Sequence, residues 1–183
     1  LPTKPSNIIT DDGLVSVCIL SCINVGRLND ITDLEEVCDI VVRFLDEMID
    51  YQEYEFPQLR ESAVKYRPLG IGISDLFHLL AKQGLKYNCK EGLHFVHRLS
   101  EHFQYGLLKA SCKLAREKGK CEYFDRSKYS SGYLPIDPGC YKVTIDKLGQ
   151  FDLECDWETL RRDIATYGLR NCCLSAVPPT ASS

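Results

Sequence analysis

The sequence contains no apolar run approaching the roughly 20 residues that a membrane-spanning helix needs. Its opening LPTKPSN carries no apolar core of the kind found in secretory signal peptides, so secretion has no support. No stretch concentrates Lys and Arg. The chain holds 22 of them against 26 Asp and Glu, for a formal net charge of −4, which disfavours electrostatic binding of nucleic acid. Internal repeats and low-complexity tracts are also missing. None of the ten cysteines stands in a C-x-x-C pair, which removes the zinc ribbon. The first residue is not Met, an observation that fits a processed or excised piece.

What is present is ordinary globular material. With 183 residues, 44% hydrophobic and 26% charged, the chain is long enough for one domain with a real core. The cysteines stand at 18, 22, 38, 89, 112, 121, 140, 155, 172 and 173. An even count permits a disulfide framework, but such frameworks belong to short secreted chains with poor cores. Cys38 and Cys112 instead fall inside helical apolar stripes, where a free thiol acts as a small hydrophobe. The chain reads as a reduced, cytoplasmic protein.

Local punctuation predicts the elements. In NDITDLEEVCDIVVRFLDEMIDYQ, Thr32 and Glu35 form a capping box, and apolar residues recur at helical spacing, giving a helix over 33–52. RPLGIGISDLFHLLAKQG predicts a helix with Pro68 at its first position and Gly84 just past its end. A long helix runs from Lys90 to Lys118 and closes at Gly119. The stretch 120–155 reads as a loop-rich surface excursion. Asp156 caps a short helix that Gly168 ends. GLVSVCILS and LRNCCLSAV read as strands, nearly continuous in apolar residues and so covered on both faces, as in an α/β sheet or barrel. Two strands cannot shelter so many helices, which implies a larger α/β body. An isolated helical domain is the competing view.

Three groups of residues invite a chemical reading. Glu91, His94, His97 and Glu101 share one helix, but di-iron bundles need the Glu-x-x-His motif on two helices, so a polar face is the better account. His78 and His102 are isolated, and no metal site is assigned. GIGIS lacks the further Gly and the Lys of a nucleotide cradle, and Gly70 and Gly72 read as close packing at a helix start. The terminal AVPPTASS looks like a strand followed by a tight turn with free backbone N–H groups and three hydroxyls. That suits an anion such as phosphate. A plain Ser-rich turn remains open.

Five words stand in register: LPTKP at 1–5, VCILSCINVG at 17–26, RPLGIGISDL at 67–76, GYLPID at 132–137 and YGLRNCCLSAVPPTASS at 167–183. Together they make the chain resemble the large (catalytic, alpha) subunit of class I ribonucleoside-diphosphate reductases, of bacterial or phage type, over essentially its whole length. The fold implied is α/β, a predominantly helical fragment of that family's ten-stranded barrel with a few buried strands. Residues 1–183 would form part of the catalytic barrel domain and not a complete autonomous domain.

The resemblance also implies roles. In the family, a cysteinyl radical removes the ribose 3′-hydrogen, and a cysteine pair reduces the 2′-carbon as water leaves. Cys18 matches the second member of that pair, and Leu20 matches a position lining the substrate pocket. Pro179, Thr180, Ala181, Ser182 and Ser183 match the loop that binds the substrate diphosphate, with Ala181 offering only its N–H. The family's Asn-x-Cys-x-Glu motif, its first redox cysteine, its effector sites and its C-terminal tyrosines and cysteines have no match here, so the chain alone is expected to be inactive. The segment itself is expected to bind no cofactor. The whole enzyme would depend on a radical-generating metallocofactor in the small (beta) subunit and on a thioredoxin- or glutaredoxin-type reductant. Its partners would be the rest of the large subunit, the small subunit and a ribonucleoside diphosphate, with the large subunit a homodimer and no membrane or nucleic acid involved. A non-catalytic helical binding module of the same descent, or an unrelated thiol-rich redox protein, are the alternatives.

Overall fold

Period-two exposure marks the first element. From Leu14 to Asn24 every second residue is exposed, while those between are half-buried or buried, the signature of a strand with one covered face. In the computed structural model, which describes residues 14–137 and 152–177, this becomes β1, Ile19–Asn24. It pairs in parallel with β2, Leu69–Ser74, so that Leu20 lies opposite Gly70 and Cys22 opposite Gly72. On the far side of β2 the tail runs parallel too. Leu69 N–H donates to Cys173 O at 2.9 Å, Ile71 N–H to Leu174 O at 2.8 Å, and Ala176 N–H to Ile71 O at 3.0 Å. Three neighbouring parallel segments thus follow one another in chain order, and helices fill the crossovers.

Among the described residues five α-helices follow one another: α1 Leu34–Tyr51, α2 Pro57–Tyr66, α3 Leu76–Lys82, α4 Lys90–Lys118 and α5 Trp157–Tyr167. α1 lies against α4, where Gly106 lets the two backbones approach: a Cβ there would meet Cys38 Sγ at 3.1 Å. The edge of this contact is a seam of ion pairs, with Lys109 on Glu35, Lys113 on Asp39, Arg43 on Glu117 and Lys118 on Glu47. Beneath it the core gathers Leu34, Val42, Ile49, Leu69, Ile71, Leu99, Leu107 and Ile164, all fully buried.

Several expectations change. The run RPLGIGISDL is not the start of a helix. Pro68 precedes strand β2, and α3 begins only at Leu76, because Asp75 adopts the left-handed region at φ 65° and breaks the strand. The box before α1 is built by Asp30 and Asp33, not by Thr32 and Glu35. Asp30 Oδ1 accepts from Thr32 N–H at 2.9 Å and Asp33 Oδ2 accepts from Asp30 N–H at 3.1 Å, closing a 3-10 turn ahead of the helix. α2 has no counterpart among the expected elements. The tail forms a single bridge, Ile71 to Ser175, instead of a regular strand.

Other expectations stand. α4 spans Lys90–Lys118 and ends at Gly119 with φ 87°. Asp156 caps α5, its Oδ1 accepting from Thr159 N–H at 3.0 Å. The described part of the 120–155 stretch is loop-rich with many exposed positions, as expected, and is anchored by Cys121, Phe124 and Leu134, which are buried. Arg161 holds Asp137 through two hydrogen bonds.

Candidate functional site

Among the described residues, helices cover one face of the three parallel segments and nothing lies over the other. Of the cover on both faces expected within a larger α/β body, the described residues supply one face. Cys18, one residue ahead of β1, is exposed, and Leu20 is 61% exposed although it lies within the strand. The described helices pack on the face that carries Ile23, Leu69 and Ile71, and nothing described lies over the other.

Gly70 shows how the open face is assembled. A Cβ on Gly70 would come within 2.5 Å of Leu20 Cδ2, 3.3 Å of Cys18 Sγ and 3.4 Å of Ala176 Cβ. Side chains from β1 and from the tail therefore converge over Gly70, one of the two positions of β2 that have none. Gly70 does serve close packing, but on a strand and not at a helix start, and Gly72 lies on the same strand. Cys173 is exposed, and its thiol is pushed up by burial and by the neighbouring Cys18. Cys22, on the same face, donates its S–H to Ser74 Oγ at 3.6 Å. A thiol, an isobutyl group and a bare backbone thus stand side by side at the point where the tail heads toward Pro179. Pro179, Thr180, Ala181, Ser182 and Ser183 lie outside the described residues.

A buried polar knot holds this arrangement from behind. Arg67, in the left-handed conformation between α2 and β2, is buried with its Nε on Asp46 Oδ1 at 2.6 Å. Its Nη atoms donate to Asp50 at 2.9 and 2.7 Å. Asp46 also receives Arg170 Nε at 3.2 Å and Asn171 Nδ2 at 3.1 Å. Asn171 is fixed in turn by Ser111, whose Oγ donates to Asn171 Oδ1 at 2.9 Å. α1, α4, the entry to β2 and the base of the tail are joined at one point. Hydrogen bonds from Arg67 hold the Asp50 carboxyl below the usual range. None of these residues stands out by sequence spacing, because the partners lie up to 125 positions apart.

The histidine–glutamate helix face separates into unlike parts. Glu101 is buried rather than part of a polar face: its carboxylate accepts from Glu154 N–H, Cys155 N–H and Trp157 Nε1–H at 2.9–3.0 Å. It anchors the chain that returns to α5. His102 and Arg98 share Glu154 beside a cavity of about 250 Å³, and His78 contacts Asp75 at 3.1 Å. Among the described residues, no group of three or more His, Cys, Asp or Glu is placed to hold a metal ion, and no helix is long and apolar enough to cross a membrane. The nine described cysteines are all free. Burial pushes Cys38 up to about 12 and Cys112 to about 11, as expected of inert core thiols.

Comparison with known proteins places this geometry. A family model described as "Ribonucleotide reductase, barrel domain" matches residues 3–183. The chain is 43% identical over its whole length to the ribonucleoside-diphosphate reductase subunit alpha of Buchnera aphidicola from Schizaphis graminum, and 44% identical to that of Haemophilus influenzae. It is 38% identical, again over its whole length, to the subunit alpha of Enterobacteria phage T4. In each case it covers 24% of the relative's own length, so the chain spans about a quarter of the curated relatives it matches. With a barrel-domain match from residue 3 to residue 183 and parallel strands backed by helices, the chain belongs to the ribonucleotide reductase barrel-domain family.

Proposed function

We propose that this chain is the part of a class I ribonucleoside-diphosphate reductase large subunit that supplies one thiol of the redox pair and the loop for the substrate's diphosphate. The observation that carries the reading is the open sheet face, where Cys18 and Leu20 meet over Gly70 beside the tail that leads to Pro179–Ser183. A thiol that must reach a ribose carbon needs such an exposed place, whereas the core thiols Cys38 and Cys112 are shut away. The three parallel segments would be neighbouring strands of the ten-stranded barrel. The open face would then look into its lumen, and residues 1–183 would be a portion of the catalytic domain that is complete only with the rest of the subunit.

In this reading Cys18 is one of two thiols that together give two electrons and two protons as the 2′ carbon–oxygen bond breaks and water leaves. The pair ends as a disulfide that a thioredoxin- or glutaredoxin-type protein reduces. Leu20 packs against the nucleoside and excludes water beside the thiol. Backbone N–H groups and the hydroxyls of Thr180, Ser182 and Ser183 donate to phosphate oxygens, with Pro179 fixing the turn and Ala181 adding its N–H. The radical that removes the ribose 3′-hydrogen would be generated with the help of a metallocofactor in the small subunit. The large subunit acts as a cytoplasmic homodimer.

The loop is tested in the complete enzyme. Replacing Ser182 and Ser183 together with Ala weakens binding of nucleoside diphosphates, each lost charge-assisted hydrogen bond costing about 1.5–3 kcal/mol. Unchanged apparent affinity for the diphosphate in equilibrium binding removes the loop from the site.

A further inference from the structure

Cys121 and Cys172 are 51 residues apart in sequence, yet their sulfurs lie 3.1 Å from each other. Both backbones are pinned where they stand. Cys121 N–H donates to Leu169 O at 3.0 Å, just ahead of Cys172, and Cys172 N–H donates to Tyr66 O at 3.0 Å. Cys121 is buried at 1% exposure, while Cys172 is half-buried and keeps a path to solvent. Arg170 lies near the pair, its Nη1 on the carbonyls of Lys118 and Gly119 at 3.4 and 3.2 Å. The S–H of Cys172 and the nearby guanidinium of Arg170 pull Cys121 below the usual thiol range, and the same contact pushes Cys172 up. At 3.1 Å one sulfur of the pair can act as the thiolate while the other holds the proton. Cys38, Cys112 and Cys155, all pushed upward by burial, contrast with it.

We propose that Cys121 and Cys172 form an oxidisable dithiol, separate from Cys18, that a peroxide closes to a disulfide. The Cys121 thiolate attacks one peroxide oxygen, breaking the O–O bond and leaving a sulfenic acid while the departing hydroxide takes up a proton as water. Cys172 sulfur then attacks the Cys121 sulfur. The sulfenic oxygen leaves with the Cys172 proton as a second water, so two thiols have lost two electrons and hydrogen peroxide has gained them. The new bond staples the chain just after α4 to the base of the tail that is hydrogen-bonded to β2. Neighbouring Cys173 faces the other way, toward Cys18.

The test uses the complete subunit, treated with hydrogen peroxide, quenched in acid, alkylated after denaturation and digested without reductant. The expected product joins the peptide CEYFDR, residues 121–126, to the peptide beginning at Asn171, with fragmentation placing the bond on Cys172. Cys121 and Cys172 lose alkylation one for one, dithiothreitol restores both, and Cys38 and Cys112 stay fully alkylated. Cys173→Ser keeps the link and Cys172→Ser abolishes it. Full alkylation of Cys121 in the oxidised sample overturns the proposal, as does a link from Cys121 to Cys173 in the wild-type subunit. The wild-type map decides even where a variant folds poorly.

Discussion

Cys18→Ser in the complete enzyme abolishes deoxynucleotide formation, even with excess dithiol, while substrate binding persists. Serine is nearly isosteric with cysteine, so the exposed position one residue ahead of β1 accommodates it and the strand pairing is untouched. What serine cannot do is form a disulfide or release two electrons with a partner thiol. Adding a soluble dithiol does not rescue the variant, because in the proposed role the missing group acts at the ribose and not in re-reduction. Cys22→Ser is the matched control. It lies on the same open face four residues along, and its S–H has an ordinary partner in Ser74 Oγ at 3.6 Å. Steady-state assays of both variants decide: an active Cys18→Ser beside a dead Cys22→Ser would shift the register of the site.

Asp46→Ala destabilises the segment by about 3–5 kcal/mol, the cost of taking one carboxylate out of a buried ion-pair network. Asp46 is fully buried, and its removal orphans Arg67 Nε, Arg170 Nε and one N–H of Asn171 together. Hydrogen exchange in the complete subunit reads the effect on the Leu69 and Ile71 amides, which bond to the tail. Their protection falls by about two to three and a half orders of magnitude, at about 1.4 kcal/mol per tenfold. Asp39→Ala, which breaks half-exposed pairs with Arg43 and Lys113, costs less than about 1 kcal/mol. Equal losses in the two variants would show that the knot is no stronger than a surface pair. Acid acts in the same direction. The Asp50 carboxyl is held low by Arg67, so its contribution is complete at neutral pH and is lost as pH falls through that lowered pKa.

The sequence made the helices legible wherever apolar spacing and terminal glycines or caps were local, as in α4 and α5. It did not make β2 legible. Gly70 and Gly72 are poor strand formers, and the following LFHLLAK drew the whole run into one helix. The pairing that makes it a strand comes from β1, 50 positions earlier by the Ile19–Leu69 register, which no local pattern reports. The Thr32 cap failed for a nearer reason. Asp30, two residues before, is the stronger acceptor, and Thr32 itself donates to it at 2.7 Å. For the site, apolar patterning alone hides Cys18, since an inert core thiol is the default in such a strand. Its exposure emerges only when all the described helices are seen to pack on the opposite face. The Asp46 knot and the Cys121–Cys172 pair are products of tertiary closure across 21 to 125 positions, so spacing rules do not reach them.

The most direct test follows Cys18 itself through one reaction. The complete enzyme converts a ribonucleoside diphosphate once with no external reductant, and is then acid-quenched, alkylated and mapped without reduction. The account predicts one deoxynucleotide per site, with Cys18 in a disulfide to a cysteine outside this chain and Cys22 fully alkylated. Product formed while Cys18 remains fully alkylated would contradict it.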